Sequence, residues 1–259
     1  MLQIGFGNYM LFLMVFARLM GALLFHPFLG RRNVPTIAKI GLAMLTALLL
    51  TPVLKVPVPV FSTTLSLMLS FLKEMAVGYA LGLLMNLFLS WVLMAGEAMD
   101  MEMGLGMGRI YDPQSNVSMP ATGTVFHLML TLIFFSSNGH LTLIRILAGS
   151  CQLFPPGPAF FDFQAGSSLA LLLKDMLLLA LKLAMPVFAI ELLTEAGMGV
   201  LMRIVPQINM FVAGLQVKLF VGLAIIILAL PAASRLMDDT LAQMYQKLQE
   251  SLAVMLSGA

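Results

Sequence analysis

Six long apolar segments run through this chain, and they constrain its fold more than any other feature. They cover residues 9–29, 36–54, 63–95, 122–148, 167–202 and 208–233. A helix needs about 20 mainly apolar residues to cross the hydrocarbon core of a bilayer. Hydrophobic residues make up 60% of the chain and charged residues only 10%, whereas soluble domains have about 25% charged residues. The sequence therefore predicts an all-α integral membrane protein built from helical hairpins.

The pattern changes after the last of these segments. Apolar residues then recur in steps of three and four, at Met237, Leu241, Met244, Leu248, Leu252 and Met255. This spacing places them on one face of a helix. We therefore predict two regions, a membrane region of residues 1–235 and an amphipathic C-terminal tail of residues 236–259. The tail would lie on the membrane surface or pack against a partner.

Charged residues lie inside several apolar segments. Arg18 is in the first, Glu74 is in the third, and the fifth contains five charges, at Lys174, Asp175, Lys182, Glu191 and Glu195. A charge at the centre of a membrane helix costs about 2.5–3.5 kcal/mol. We therefore expect these side chains to face other helices, partner subunits or water, although those near a helix end would also reach the lipid headgroups. Glu191 and Glu195 share one helix face because they are four residues apart.

A polar stretch, residues 95–123, separates the third and fourth segments. It contains glycines at alternate positions and several methionines, namely Gly104, Gly106, Gly108, Met101, Met103, Met107 and Met119. Non-helical backbone at membrane depth is tolerated only where protein or a water-filled cavity shields it from lipid, so we expect this stretch to line a translocation path. Methionine fills ordinary cores, but its flexible thioether also adapts to varied surfaces.

Other motifs indicate packing rather than catalysis. Gly78 and Gly82 have the Gly-x-x-x-Gly spacing that lets two helix backbones approach closely. The three histidines lie far apart, and neither a nucleophile elbow nor a phosphate-binding loop appears. The chain also lacks a run of lysine and arginine suited to nucleic acid. We therefore predict neither an enzyme, nor a nucleic-acid binder, nor a site for a metal or cofactor.

Motifs spread over nearly the whole chain carry a family resemblance. They are Arg18, Gly21, Pro27, Pro35 and Lys39; Glu74, Gly78 and Gly82; Ala95-Gly96-Glu97; Met103-Gly104-Leu105-Gly106; Asp112-Pro113; Pro186 and Glu191; Glu195-x-Gly197-x-Gly199; Arg203-x-x-Pro206-Gln207-x-Asn209-x-Phe211; Lys218 and Gly222. In this order and spacing they resemble the FliR family, export-gate components of flagellar biosynthesis that are shared with type III secretion systems.

The resemblance implies partners and a location. A protein of this family assembles with FliP-like and FliQ-like subunits into a closed helical gate, and FlhB-like and FlhA-like export proteins dock nearby. Unfolded flagellar proteins cross the gate, which belongs to the flagellar basal body in the bacterial inner membrane. Much of such a gate lies beyond the membrane plane and is surrounded by protein.

The resemblance also implies residue roles. The family's pore-plugging loop corresponds to residues 103–122. Gly104, Gly106 and Gly108 would give this loop its freedom, and Met101, just before the loop, would help to seal the closed pore together with Met103, Met107 and Met119. Packing and buried polar contacts between subunits would involve Gly78, Gly82, Glu191, Glu195, Arg203, Pro206 and Asn209. Two alternatives stay open: a virulence-type secretion homologue, or a self-contained small-solute transporter with Glu191 and Glu195 as a proton or cation site.

Overall fold

A computed structural model describes residues 6–26, 34–54, 56–57, 61–106, 120–153, 155–157, 165–205 and 210–257. For residues 6–8, 153, 165–172, 210–212 and 247–257 it describes the backbone only. The helices are α1 (Phe6–Leu24), α2 (Thr36–Leu50), α3 (Thr64–Glu102), α4 (Ala121–Ser136), α5 (Gly139–Leu153), α6 (Ala165–Ile204) and α7 (Met210–Ser257). All regular elements in the described ranges are helices, which confirms the predicted all-α class.

The predicted membrane character is also confirmed. Among the described residues, three helices, within α3, α6 and α7, are long and apolar enough to span a bilayer. The pair α4 and α5 would add a fourth span if the two bent helices are counted as one. Helices α1 and α2 are apolar but shorter. Spanning helices satisfy every backbone polar group internally, as hydrocarbon requires.

The apolar segment predicted over residues 122–148 forms two helices, α4 and α5. The chain turns between α4 and α5, and the pair of helices is bent by 69° at this break. Asn138 has the left-handed backbone angle φ of 56° and is followed by Gly139, where α5 begins. Asparagine tolerates this conformation better than most residues, so the turn ends α4 within an otherwise apolar sequence.

Two helices are longer than the sequence indicated. Helix α3 continues to Glu102, so the first part of the predicted polar stretch is helical and only its later part lies between α3 and α4. Helix α7 continues through Pro231 to Ser257, so the amphipathic segment is the end of α7 rather than a separate helix. Its predicted stripe is buried at Met237, Leu241 and Met244.

The chain divides into two compact units. Unit 1 comprises residues 1–89, 138–169 and 241–259. In it α2 packs against α1 through a stripe of Lys39, Ala43 and Ala47, whose members are four residues apart. The unit's core includes Met14 and Phe88, which are almost fully buried.

Unit 2 comprises residues 90–137 and 170–240. Its core is formed by the end of α3, by α4, and by the inner faces of α6 and α7. Several apolar side chains of this core are at most 2% exposed, namely Trp91, Phe126, Phe134, Val187 and Met237. The residues that flank the predicted plug loop belong to this unit, so the same helices that form its core also support the candidate site.

Candidate functional site at the base of the predicted plug

Met103 lies where α3 ends and is completely buried. Its amide donates a hydrogen bond to the carbonyl of Met99, 3.0 Å away, and so extends the helical pattern. Its thioether lies against Gly222 of α7, where any side chain would overlap it. Met101, by contrast, is 69% exposed. The structure therefore uses Met103 to anchor the upstream end of the loop, while Met101 keeps a free side chain.

Gly104 makes the turn that leaves α3. Its backbone angle φ is +79°, a left-handed conformation that glycine adopts at little cost. Its amide donates to the carbonyl of Met101 at 3.2 Å, and the side chain of Leu215 lies close by on α7. The conformational freedom predicted for Gly104 therefore serves one defined turn. Gly106 does not adopt a positive φ and makes no such turn.

Asp100 holds the downstream end of the loop. One carboxylate oxygen accepts a hydrogen bond from the amide of Ala121 at 2.6 Å, and the other accepts from the amide of Thr122 at 3.2 Å. Asp100 is only 1% exposed. An acceptor at these positions satisfies amides that the first turn of α4 leaves without helical partners, and its negative charge suits the helix dipole.

Two glycines bring α3 and α4 together just below this cap. A side chain at Gly96 would overlap the backbone of Gly123, and Pro120 packs against Gly123 from the other side. Small residues at both contact points allow the helix backbones to approach closely. Buried contacts therefore hold the residues on both sides of the predicted plug. Sequence patterns alone do not reveal Asp100 or this glycine pair as supports.

Glu191 lies beside the Met103 anchor, on α6. It has no exposed surface, and its two carboxyl oxygens have no hydrogen-bond partner within the described part of the chain. One turn further along, Glu195 accepts a hydrogen bond from Lys218 of α7 at 2.9 Å. The Glu195 side chain is 54% exposed, so the two acids that share one helix face have different surroundings.

The predicted Gly-x-x-x-Gly pair packs inside unit 1. Side chains at Gly78 or Gly82 would overlap the backbone of α1 at Arg18 and Ala22, and Gly21 of α1 faces α3 in the same way. The structure thus uses both glycines for close contact within the chain. Their predicted role between subunits stays a prediction.

The glycine contact brings Arg18 beside Glu74. The guanidinium Nε donates to Oε2 of Glu74 at 2.6 Å, and NH1 donates to the carbonyl of Ser150 at 2.8 Å. The other oxygen of Glu74 accepts from the amide of Gly157 at 3.1 Å. Both charged side chains are buried, which agrees with the expectation that embedded charges face protein.

The remaining predicted site residues are exposed or lie outside the described residues. Arg203, in the last turn of α6, is exposed. The other five predicted site residues lie outside the described residues, namely Met107, Gly108, Met119, Pro206 and Asn209. Within the described ranges, His, Cys, Asp and Glu side chains form no group of three or more that suits a metal ion. The site as described consists of helix contacts and buried polar groups.

Comparison with known proteins places these features in a family. Residues 9–244 match the family model described as bacterial export proteins, family 1. The flagellar biosynthetic protein FliR of Escherichia coli is 30% identical over 228 residues, which cover 88% of this chain and 87% of the relative. FliR of Bacillus subtilis is 31% identical over 222 residues, 85% of each chain, and FliR of Pectobacterium carotovorum is 28% identical over 238 residues, 92% of this chain and 90% of the relative. The chain therefore belongs to the FliR family of bacterial export proteins.

Proposed function

We propose that this chain is a subunit of the flagellar type III export gate, through which unfolded flagellar proteins cross the membrane. Its partners in the channel are FliP-like and FliQ-like subunits, with FlhB-like and FlhA-like export proteins nearby. Family membership and the names of the relatives, which are flagellar biosynthetic proteins, support this proposal. Those names describe flagellar rather than virulence proteins, which favours the flagellar system. The proposed location is the flagellar basal body in the bacterial inner membrane.

The observation that carries the proposal is the long exposed apolar face of α6. Large apolar side chains are exposed from Leu173 to Ile204, a length of about 46 Å at 1.5 Å per residue. At a typical tilt of about 20° this face still exceeds the hydrocarbon core, which is about 30 Å thick. Exposed charges at Lys174, Lys182 and Glu195 interrupt the same helix. Lipid alone suits such a face poorly, and neighbouring protein subunits would cover it.

Among the described residues, those predicted to contact other subunits fall into an exposed group and a buried group. Glu195 and Arg203 are exposed and available to a partner. We propose that these two form polar contacts with neighbouring subunits, together with Pro206 and Asn209. Gly78, Gly82 and Glu191 are buried within the chain itself, and their contribution to packing between subunits stays a prediction.

The loop of residues 103–122 is proposed to plug the closed pore. Its flanking residues are anchored by Met103 on one side and Asp100 on the other. In this proposal Met101, Met107 and Met119 seal against neighbouring surfaces, because a flexible thioether side chain adapts to them. Met103 supports the seal indirectly by holding the end of α3 on α7.

Native mass spectrometry tests the assembly. The tagged chain would be co-expressed with its genomic neighbours and purified in mild detergent. We expect a large hetero-oligomer that contains FliP-like and FliQ-like subunits. A monomer or homodimer, recovered while the neighbours are present and folded, would contradict the proposal and favour the self-contained transporter. Flux in liposomes that contain this chain alone would then be the next measurement.

A deletion limited to residues 107–119 tests the plug. It retains both anchors, so the hetero-oligomer should still form, while cells should leak small solutes across the membrane. The matched control replaces the same residues with a glycine-serine linker of equal length, which retains the loop length and removes Met107 and Met119. Normal export without any leak in both variants would show that this loop is not the plug.

A further inference from the structure

The carboxyl group of Glu191 is buried without a hydrogen-bond donor. Its exposure is zero, and neither oxygen has a partner within the described part of the chain. The group points to the place where Gly222 leaves room on α7. A Cβ atom at position 222 would lie 2.8 Å from Oε1 of Glu191, and it would also overlap the thioether of Met103. The carboxyl therefore lies beside the Gly222 backbone, in the same space that the Met103 thioether approaches.

The charges around Glu191 do not compensate an ionised carboxylate. The groups that act on it electrostatically are Lys218 on α7, Glu102 on α3 and Glu195 on α6. Lys218 is attractive, but its ammonium group already bonds Glu195 at 2.9 Å. Glu102 and Glu195 are both acids and repel a further negative charge. With Glu191 ionised, three carboxylates would face one lysine.

We propose that Glu191 is a proton-binding site and is held as the neutral acid in the arrangement seen here. Transfer of an ionised carboxylate into apolar surroundings without hydrogen bonds is so costly that such a group binds a proton or acquires a cationic partner. The described residues supply no cation beyond the one already bonded to Glu195. A proton neutralises the carboxyl without the need for additional space beside Gly222.

The protonation state of Glu191 affects the Met103 anchor, because both side chains approach Gly222. Loss of the proton would place a negative charge against the Met103 thioether. The charge would be relieved by separation of α6 from α7, or by movement of Lys218 from Glu195 towards Glu191. Either change disturbs the contact at Gly222 on which Met103 rests. Proton release at Glu191 therefore loosens the end of α3.

Infrared difference spectroscopy on the purified gate complex tests the proton directly. We expect the carbonyl stretch of a neutral carboxylic acid at neutral pH, shifted in heavy water and absent from the Glu191→Gln complex. The matched control is Glu97→Gln, which changes an acid on α3 that is not among the groups acting on Glu191 and should leave the band in place. Absence of the band from the wild-type complex overturns the proposal.

The pH dependence of unfolding gives a second readout. A proton held by the native state and lost on unfolding makes stability decrease as the pH rises above the range in which a free glutamate titrates. We expect this decrease in the wild-type complex and its loss in Glu191→Gln, which should assemble normally because glutamine is a neutral isostere. If Glu191→Gln fails to assemble, or is destabilised at neutral pH while the wild type shows no such decrease, Glu191 is instead ionised and paired.

Discussion

Arg18 of α1 and Glu74 of α3 form a buried ion pair, with 2.6 Å between Nε and Oε2. Arg18 also donates to the carbonyl of Ser150 on α5, and Glu74 accepts from the amide of Gly157. A buried pair of this kind contributes little net stability against an apolar replacement, but loss of one partner leaves an uncompensated charge. Through these bonds the pair links α1, α3 and the end of α5 within unit 1.

The ion pair predicts strong coupling between its two residues. Arg18→Met and Glu74→Leu should each lower the free energy of unfolding by about 3–5 kcal/mol. The double variant should lose clearly less than the sum, because it leaves no buried charge behind. Thermal unfolding of the purified protein in detergent measures all three. Additive losses would show that the two side chains do not depend on each other.

The contact between α1 and α3 predicts that Gly78 tolerates no side chain. Gly78→Ala would force a methyl group into the backbone of α1 at Arg18, so the two helices must separate. The free energy of unfolding should fall by about 1–3 kcal/mol, as in overpacked cores. Gly41→Ala is the control, because a side chain there meets open space. It should leave stability unchanged or raise it by up to about 1 kcal/mol through helix propensity. Equal effects of the two substitutions would contradict this packing.

Loss of the Asp100 cap should loosen the start of α4. Asp100→Ala removes the acceptor for two backbone amides and should cost about 1–2 kcal/mol, while Asp100→Asn retains one acceptor and should cost less. Hydrogen exchange at Ala121 and Thr122, followed by mass spectrometry, should accelerate in the same order. Asp239→Ala, at an exposed position on α7, is the control. Unchanged exchange at those two amides in Asp100→Ala would refute the cap.

The Met103 anchor predicts a suppressor. Gly222→Ala should destabilise the protein because the new methyl group overlaps the Met103 thioether and crowds Glu191. Met103→Ala alone should cost about 2–5 kcal/mol through the cavity that it leaves. Together they should cost less than the sum of both, since the smaller side chain makes room for the methyl group. Unfolding midpoints of the four proteins measure this coupling, and strict additivity would place Met103 elsewhere.

His26 predicts a loss of stability in acid. Burial lowers the pKa of this imidazole to about 4, whereas an unfolded histidine has a pKa of about 6.5. Between these values the unfolded state binds more protons than the folded state, so stability falls as the pH decreases from about 6.5 to about 4. The full loss is on the order of 3 kcal/mol. His26→Gln should reduce this loss, whereas His140→Gln should retain it, and unfolding midpoints across the pH range compare the three. A His26→Gln variant with the wild-type acid profile would contradict the assignment.

The apolar pattern of the sequence determined the class of the fold. Stretches of about 20 apolar residues form helices in a membrane because the backbone must satisfy its own hydrogen bonds there. The same pattern predicted the stripe of Met237, Leu241 and Met244, which is buried in the structure. The cost of an unpaired charge led to the expectation that embedded charges face protein, and the buried pair of Arg18 and Glu74 fits it.

Only the tertiary structure decided which groups meet. Arg18 and Glu74 are 56 residues apart in the chain, and Asp100 caps a helix that begins 21 residues later. Local patterns record whether a position is apolar, small or charged, but the partner of each position depends on how the helices cross. For that reason the sequence identified Gly78 as a packing residue without its contact on α1. It likewise assigned Met103 to the seal, whereas the fold places its side chain in the space beside Gly222 and Glu191.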